Sequence, residues 1–282
     1  MNHIKENLMR FLFFTAACIS IAAVVLICLF LLANGVPAIR EIGLFDFLLG
    51  TRWKPANSLY GILPMIVGSV YVTVGALLIG VPTGILTAAF MAHFCPKHLY
   101  RPVKAVVNLM AGIPSVVYGF FGLVVLVPFV RDTFGGRGQS VLTASILLGL
   151  MILPTVISVS ETSIRAVSQS YYEGALALGA SHERSVFHAV LPAAKSGIFA
   201  AVVLGIGRAV GETMAVKMVA GNQPVIPGDI LDGVRTLTTN IVLEMGYSTD
   251  LHREALIGTA VVLFVLILII NISLSLFKRR VR

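Results

Sequence analysis

Arg208, Glu212 and Lys217 stand inside an apolar run, Gly197 to Ala220, that is long enough to cross a membrane. Each charge at the centre of a bilayer costs roughly 2.5–3.5 kcal/mol on insertion scales, so a sequence retains one for mutual pairing or for an anionic ligand. A spacing of four puts Arg208 and Glu212 on one face of a continuous helix. Two readings follow: a buried ion pair that locks this span to a neighbour, or a planar guanidinium fork offered to an oxyanion beside a carboxylate. Gly205, Gly207 and Gly211 flank the pair and permit close helix approach or a hinge. Upstream, Gly-Ile-Pro-Ser-Val-Val-Tyr-Gly at 112–119 predicts a helix bent or locally opened at Pro114. That bend is either a packing kink or a stretch whose freed carbonyls and Ser115 line a polar path, with Thr213 a further candidate on it.

A second constellation lies in a polar stretch at about 161–196. Ser170-Tyr171-Tyr172-Glu173 has the Ser-x-x-Glu spacing of a capping box and predicts a helix from Tyr171. Gly179 would close it in the left-handed conformation. Ser181 would cap a second short helix running towards Val190 and stopped by Pro192. Such a helix, glycine turn and helix either covers the bundle or presents Ala175, Leu176, Leu178 and Ala180 to a groove on a partner.

The elements that must hold these residues are membrane helices. Mean hydropathy is +0.93, with 57% apolar and 12% charged residues, which excludes a soluble domain of 282 residues. Apolar runs at Phe11–Ala33, Ile62–Ala92, Val103–Val130, Val141–Ser160, Gly197–Ala220 and Ala255–Phe277 predict six spans in one domain, residues 1–282. Only helices or closed barrels satisfy backbone groups in hydrocarbon, and no short alternating segments are present, so the fold class is an all-α integral membrane bundle. Pro64, Pro82, Gly75, Gly80 and Gly84 predict a kinked or overhanging second helix.

Orientation follows from basic residues. An N-terminus in the cytoplasm puts Lys5, Arg10, Lys97, Arg101, Lys104, Arg165, Arg184, Lys195 and the tail Lys278, Arg279, Arg280 and Arg282 on that side, with fewer basic residues outside. Both termini are therefore expected in the cytoplasm, and Asp229, Asp232, Glu244, Asp250 and Glu254 in outer loops. The net charge of +8 is an orientation signal spread over many loops, so no nucleic-acid partner is expected. The first apolar run is longer than a signal peptide core and reads as a retained helix. Cys18, Cys28 and Cys95 form no disulfide framework. His93, Cys95 and His98 have no evident fourth partner nearby, so no metal site is assigned.

On these residues the chain resembles the permease subunits of bacterial ABC importers. Their cytoplasmic signature runs Glu-Ala-Ala, three residues, Gly, nine residues, Ile, one residue, Leu-Pro. Glu173, Ala175, Gly179, Leu191 and Pro192 stand at matching positions, while Gly174 and Ala189 depart from it. Gly112–Gly119, the run Gly205–Val216, Thr236–Gly246 and Leu251–Ala255 are similar to the phosphate importer permeases of the PstC type. Lys217 stands where those relatives usually carry an uncharged residue.

The resemblance implies a type I importer bundle that forms half of a phosphate path with a second, PstA-like permease. It implies two copies of a cytoplasmic PstB-like ATPase, a PstS-like phosphate-binding protein outside, and surrounding membrane lipid. It makes the 171–190 loop the ATPase-coupling element, with Arg208 and Glu212 on the path. No cofactor is expected in this chain: it has no Gly-x-x-x-x-Gly-Lys-Ser/Thr loop, and Gly135-Gly-Arg-Gly138 lacks the lysine, so ATP and Mg belong to the partner ATPase. A membrane enzyme would need a catalytic constellation such as His-Glu-x-x-His or Gly-x-Ser-x-Gly, and neither occurs. A self-contained carrier would have no need of a docking signature. Another oxyanion, such as sulfate or molybdate, remains compatible with a single arginine fork.

Overall fold

The computed structural model describes residues 2–280. Arg282 of the basic tail lies outside the described residues, as do the side chains of Lys278, Arg279 and Arg280. The chain opens with a long helix, α1 (Asn2–Ile42), and a short one, α2 (Leu44–Leu49). A two-stranded antiparallel hairpin follows, β1 (Trp53–Lys54) and β2 (Leu59–Tyr60), in the register Trp53 to Tyr60 and Lys54 to Leu59. With an isolated parallel bridge between Gly221 and Val234, it departs from the all-helical expectation.

Next come α3 (Leu63–Ala89), α4 (Lys97–Gly112), α5 (Ser115–Phe121), α6 (Val127–Phe134) and α7 (Val141–Arg165). Beyond these lie α8 (Gln169–Ala177), α9 (His182–Ser185), α10 (Leu191–Ala193), α11 (Lys195–Gly211), α12 (Met214–Val219), α13 (Leu237–Glu244) and α14 (Asp250–Arg280).

Five continuous helical stretches are long and apolar enough to cross a membrane: Lys5–Ile42, Leu63–Phe94, Ser115–Phe134, Val141–Arg165 and Asp250–Ser273. A sixth is broken, its His182–Ala193 and Lys195–Gly211 parts meeting at 70°. The second span overhangs as expected, since its 32 residues extend about 48 Å at 1.5 Å per residue. The third differs from the expected Val103–Val130 run. Ile113 and Pro114 are extended, so α4 ends and a separate helix begins at Ser115. Proline cannot donate the ladder hydrogen bond and forces the residue before it out of helical geometry.

The core is the contact of α3 with α7. Gly75, Gly80 and Gly84 present no side chain to Ser145, Ile152 and Val156, and a Cβ at any of them would collide with α7. Lipid supplies no hydrophobic drive between helices, so close packing through such small residues holds the pair. Val156 and Ile152 also meet Gly205, which brings α11 onto the same face of α7. A second cluster, with Phe47, Trp53, Ile62, Leu237 and Leu256, closes the opposite end of the bundle from the 169–193 loop.

Candidate functional site

The span that carries the intramembrane charges does not continue through them. Helix α11 stops at Gly211, Glu212 turns to extended backbone (φ −70°, ψ 130°), and α12 starts at Met214. Arg208 and Glu212 therefore do not share a helix face, and the expected ion pair does not form. The Glu212 carboxylate instead accepts the backbone N–H of Ala215 at 3.1 Å, capping the first turn of α12, where a negative charge is favoured. Its backbone carbonyl accepts from the Thr238 hydroxyl at 3.1 Å, which ties the break to α13. Thr213 donates to the Gly211 carbonyl at 3.2 Å.

Arg208 is half-buried and spends one guanidinium nitrogen on the Thr155 hydroxyl, 3.2 Å away and about midway along α7. Gly207 and Gly211 beside it face open space, whereas Gly205 makes the close approach to α7. Glu212 lines a narrow, mostly apolar crevice in which Ser69, Thr73, Thr236 and Thr238 are the other polar residues. Lys217, half-buried on α12, makes no ion pair among the described residues.

The break in the third span packs against the break in the fifth. Tyr118 reaches back from α5 to donate to the Met110 carbonyl of α4 at 2.9 Å, and it lies within electrostatic reach of Arg208. Gly119 rests on Ala215 and Met218 of α12, and Gly122 on Leu147 and Val219. Ser115 opens the first turn of α5, half-buried, three residues before Tyr118. Two spans with non-helical backbone thus meet beside a lone arginine. Broken backbone survives at membrane depth only where protein or a cavity receives its freed polar groups.

The 169–193 loop keeps the predicted turn and changes its ends. Helix α8 starts at Gln169, two residues early, because Glu173 accepts from Gln169 Nε2 at 2.7 Å and does not close a box with Ser170. Ser170 exchanges a hydrogen bond with Ser168 instead. Gly179 has φ +86°, its N–H bonds to Leu176 O at 2.9 Å and that of Ala180 to Ala175 O at 3.1 Å, the paired bonds of a Schellman closure. Ser181 caps α9 through the N–H of Arg184.

Pro192 does not stop that second helix. The helical stretch His182–Ala193 runs through it, and the break falls at Ala194. Tyr172 and His182 share a 2.7 Å hydrogen bond across the turn, and Leu178 at its tip is 91% exposed. Gly174 faces open space and Ala175 is half-buried, while Leu191 packs against the cluster that holds Ala89, Ile164 and Val190.

Two polar networks were not anticipated. Glu161, 2% exposed, accepts from Tyr100 and Lys104 at 2.7 Å and from Arg165 at 2.9 Å, fastening α4 to the end of α7. At the other end Glu244 is buried as well, accepting from Trp53 Nε1 at 2.8 Å and Arg235 at 2.6 Å and sharing a 2.9 Å bond with His252. Burial alone would raise the Glu244 carboxyl, but the hydrogen bonds from Trp53, Arg235 and His252 outweigh it and hold it below the usual glutamate range.

A mostly helical bundle with two interrupted spans and an exposed helix-turn-helix at one end is the architecture of a multi-pass membrane protein. Residues 80–282 match the family described as binding-protein-dependent transport system inner membrane component, and the chain belongs to that family of ABC transporter permeases of the inner membrane. It is 42% identical to the probable ABC transporter permease protein YqgH of Bacillus subtilis, over 85% of this chain and 79% of that protein. It is 34% identical to the phosphate transport system permease protein PstC of Mesorhizobium japonicum, over 80% and 76% of the two chains. With PstC 2 of Mycobacterium tuberculosis it shares 32% identity over 94% and 89%.

Among solved structures, a chain of a bacterial alginate ABC transporter superposes with a TM-score of 0.67 at 17% identity, covering 98% of this chain and 97% of that one. A chain of the inward-facing methionine transporter MetNI superposes at 0.61 and 22%, covering 82% and 100%. These share the fold of type I importer permeases.

Proposed function

We propose that this chain is the PstC-type permease of an ATP-driven phosphate importer, and that Arg208 is its contact with the transported anion. The observation that carries the site assignment is a half-buried guanidinium in a broken span whose sole hydrogen-bond partner among the described residues is a neutral hydroxyl. Arginine so placed retains most of its donors for an oxyanion, and charged donors to phosphate are roughly twice as strong as neutral ones. The relatives named for phosphate transport direct the choice of anion. Ser115 and Thr213 at the two breaks are the proposed neutral neighbours of the path, with Pro114, Gly205 and Gly211 at its bends. Glu212 serves the path from behind, by holding the start of α12 in place.

The remaining partners follow the same proposal. A PstA-like permease completes the path, a PstB-like ATPase dimer that holds ATP and Mg docks on the 169–193 loop, and a PstS-like protein delivers phosphate outside. Both termini then face the cytoplasm. Closure of the ATPase pair moves the loop through Glu173, Gly174, Ala175, Gly179, Leu191 and Pro192, and the bundle opens outward. Radiolabelled phosphate uptake into vesicles containing all partners, with sulfate as competitor, tests the proposal. ATP-dependent uptake insensitive to sulfate supports it; sulfate transport reassigns the anion, and ATP-independent flux overturns the docking role.

A further inference from the structure

At the end of the bundle that carries the coupling loop, a cleft of about 760 Å³ opens between the end of the Leu63–Phe94 span, the start of α4 and the end of α7. Lys97, His98, Arg101 and Arg165 line it, and no aspartate or glutamate does. Lys97 and Arg101 are four residues apart on α4, hence on one face, and both are exposed without an acidic partner among the described residues. The nearest carboxylate, Glu161, is already committed to Tyr100, Lys104 and Arg165. Three Lys and Arg side chains, Lys97, Arg101 and Arg165, therefore line the cleft, and Lys104 beside it shares Glu161 with Arg165. His93, which also lines the cleft, keeps Nε2 buried with no hydrogen-bond partner.

We infer that this cleft is a binding site for the phosphate of an anionic phospholipid. Its chemistry, several Lys and Arg donors around an open polar space, suits any phosphate ester; its place selects the lipid. The cleft sits where a hydrophobic span ends, at the depth of head groups. Exposed Phe90 and Leu99, next in sequence to lining residues Met91, His98 and Tyr100, offer apolar surface to the acyl chains. The floor is fixed beforehand: the Glu161 network pins α4 to α7, and Arg165 also donates to the Met91 carbonyl at 2.7 Å. Arg165, held this way, costs little further ordering when the ligand arrives, and Lys97 and Arg101 reach it from the exposed face of α4. The His93 ring lies 5.9 Å from that of Tyr172, so a bound head group touches the seat of the coupling loop. Occupancy would thereby make transport depend on the lipid.

Native mass spectrometry of the purified transporter complex, titrated with phosphatidylglycerol and separately with phosphatidylcholine, reads the site directly. The double variant Lys97→Gln, Arg101→Gln should retain phosphatidylglycerol about 30-fold less tightly, the fold-change for about 1 kcal/mol per surface cation. Lys97→Arg with Arg101→Lys should bind as the parent does, as should Arg10→Gln, a cation that does not line the cleft. Independently of any variant, photoactivatable phosphatidylglycerol should label the 91–104 segment. Equal retention by the double variant, equal binding of phosphatidylcholine, or label confined to other segments overturns the inference. Displacement of the lipid by inorganic phosphate at equal concentration would assign the cleft to the free anion and equally overturn it. None of these readings depends on which anion the complex transports.

Discussion

Arg208 donates to Thr155 at 3.2 Å and leaves Glu212, four residues further on, to cap the helix that follows. The charge is thereby stabilised by a neutral hydroxyl and by its own partial exposure, and no carboxylate competes with a passing anion for its donors. Arg208→Gln should lower uptake by about 10- to 150-fold, the loss expected for a charged hydrogen bond worth about 1.5–3 kcal/mol. Arg208→Lys should recover part of it, because an ammonium keeps the charge and lacks the planar fork. Complex assembly, followed by co-purification of the partners, should be unchanged in both. Normal uptake by Arg208→Gln would remove this residue from the path.

Gly179 separates a backbone requirement from a docking one. Its φ of +86° disfavours any side chain, yet no atom lies within 4 Å of where a Cβ would stand. Gly179→Ala should cost about 1 kcal/mol through the backbone alone and leave transport measurable. A bulky residue adds volume to a tip where Leu178 is already exposed for contact, and should uncouple ATP hydrolysis from uptake or prevent ATPase assembly. Unchanged assembly and uptake in Gly179→Trp would refute docking at this turn.

How much of this was legible in the residues depends on range. The glycine closure at Gly179, the Ser181 cap and the opening at Pro114 were readable because a single local conformation decides each. The Arg208 and Glu212 pairing failed because four-residue spacing assumes an unbroken helix. The break depends on Thr238, 26 residues away, and on a cap that only the folded backbone forms. The Ser170 box failed because Gln169 offered Glu173 a closer side-chain donor. Glu161 had one local partner in Arg165, four residues on, but Tyr100 lies 61 residues from it, and Glu244 binds Trp53 from 191 residues away, so neither network showed in local spacing. Glu161 falls just past the apolar run that ended at Ser160, so a hydropathy boundary hid it.

The Glu161 network predicts a stability effect separate from transport. Removing the carboxylate leaves Lys104, Arg165 and Tyr100 around a buried site with no acceptor. Glu161→Ala should destabilise the purified protein by about 1–3 kcal/mol, the cost of unmade hydrogen bonds, because Lys104 and Arg165 keep 28% and 44% exposure. Combining Glu161→Leu with Lys104→Met should recover part of that loss, because no charge is then stranded at that position. Thermal unfolding in detergent reads both. A loss under about 1 kcal/mol for Glu161→Ala would show that the cations find water instead.

Glu244 makes the end of the bundle opposite the 169–193 loop sensitive to acid, and the chain carries its own reporter. Its carboxyl is held below the ordinary range by Trp53, Arg235 and His252 despite burial. A depressed folded value means that the stabilisation is complete above the unfolded pKa of about 4.3 and is lost as pH falls through the lower folded value. Trp53 is the single tryptophan of the chain and donates directly to Glu244, so its fluorescence should change as pH falls below about 4.3. Glu244→Gln removes the titrating group while keeping an acceptor, and should flatten that acid transition. It should also weaken the grip on Arg235, which then retains Asn240 and the Asn222 carbonyl as partners. An acid transition that persists unchanged in Glu244→Gln would place the proton on another group and detach Trp53 from this network.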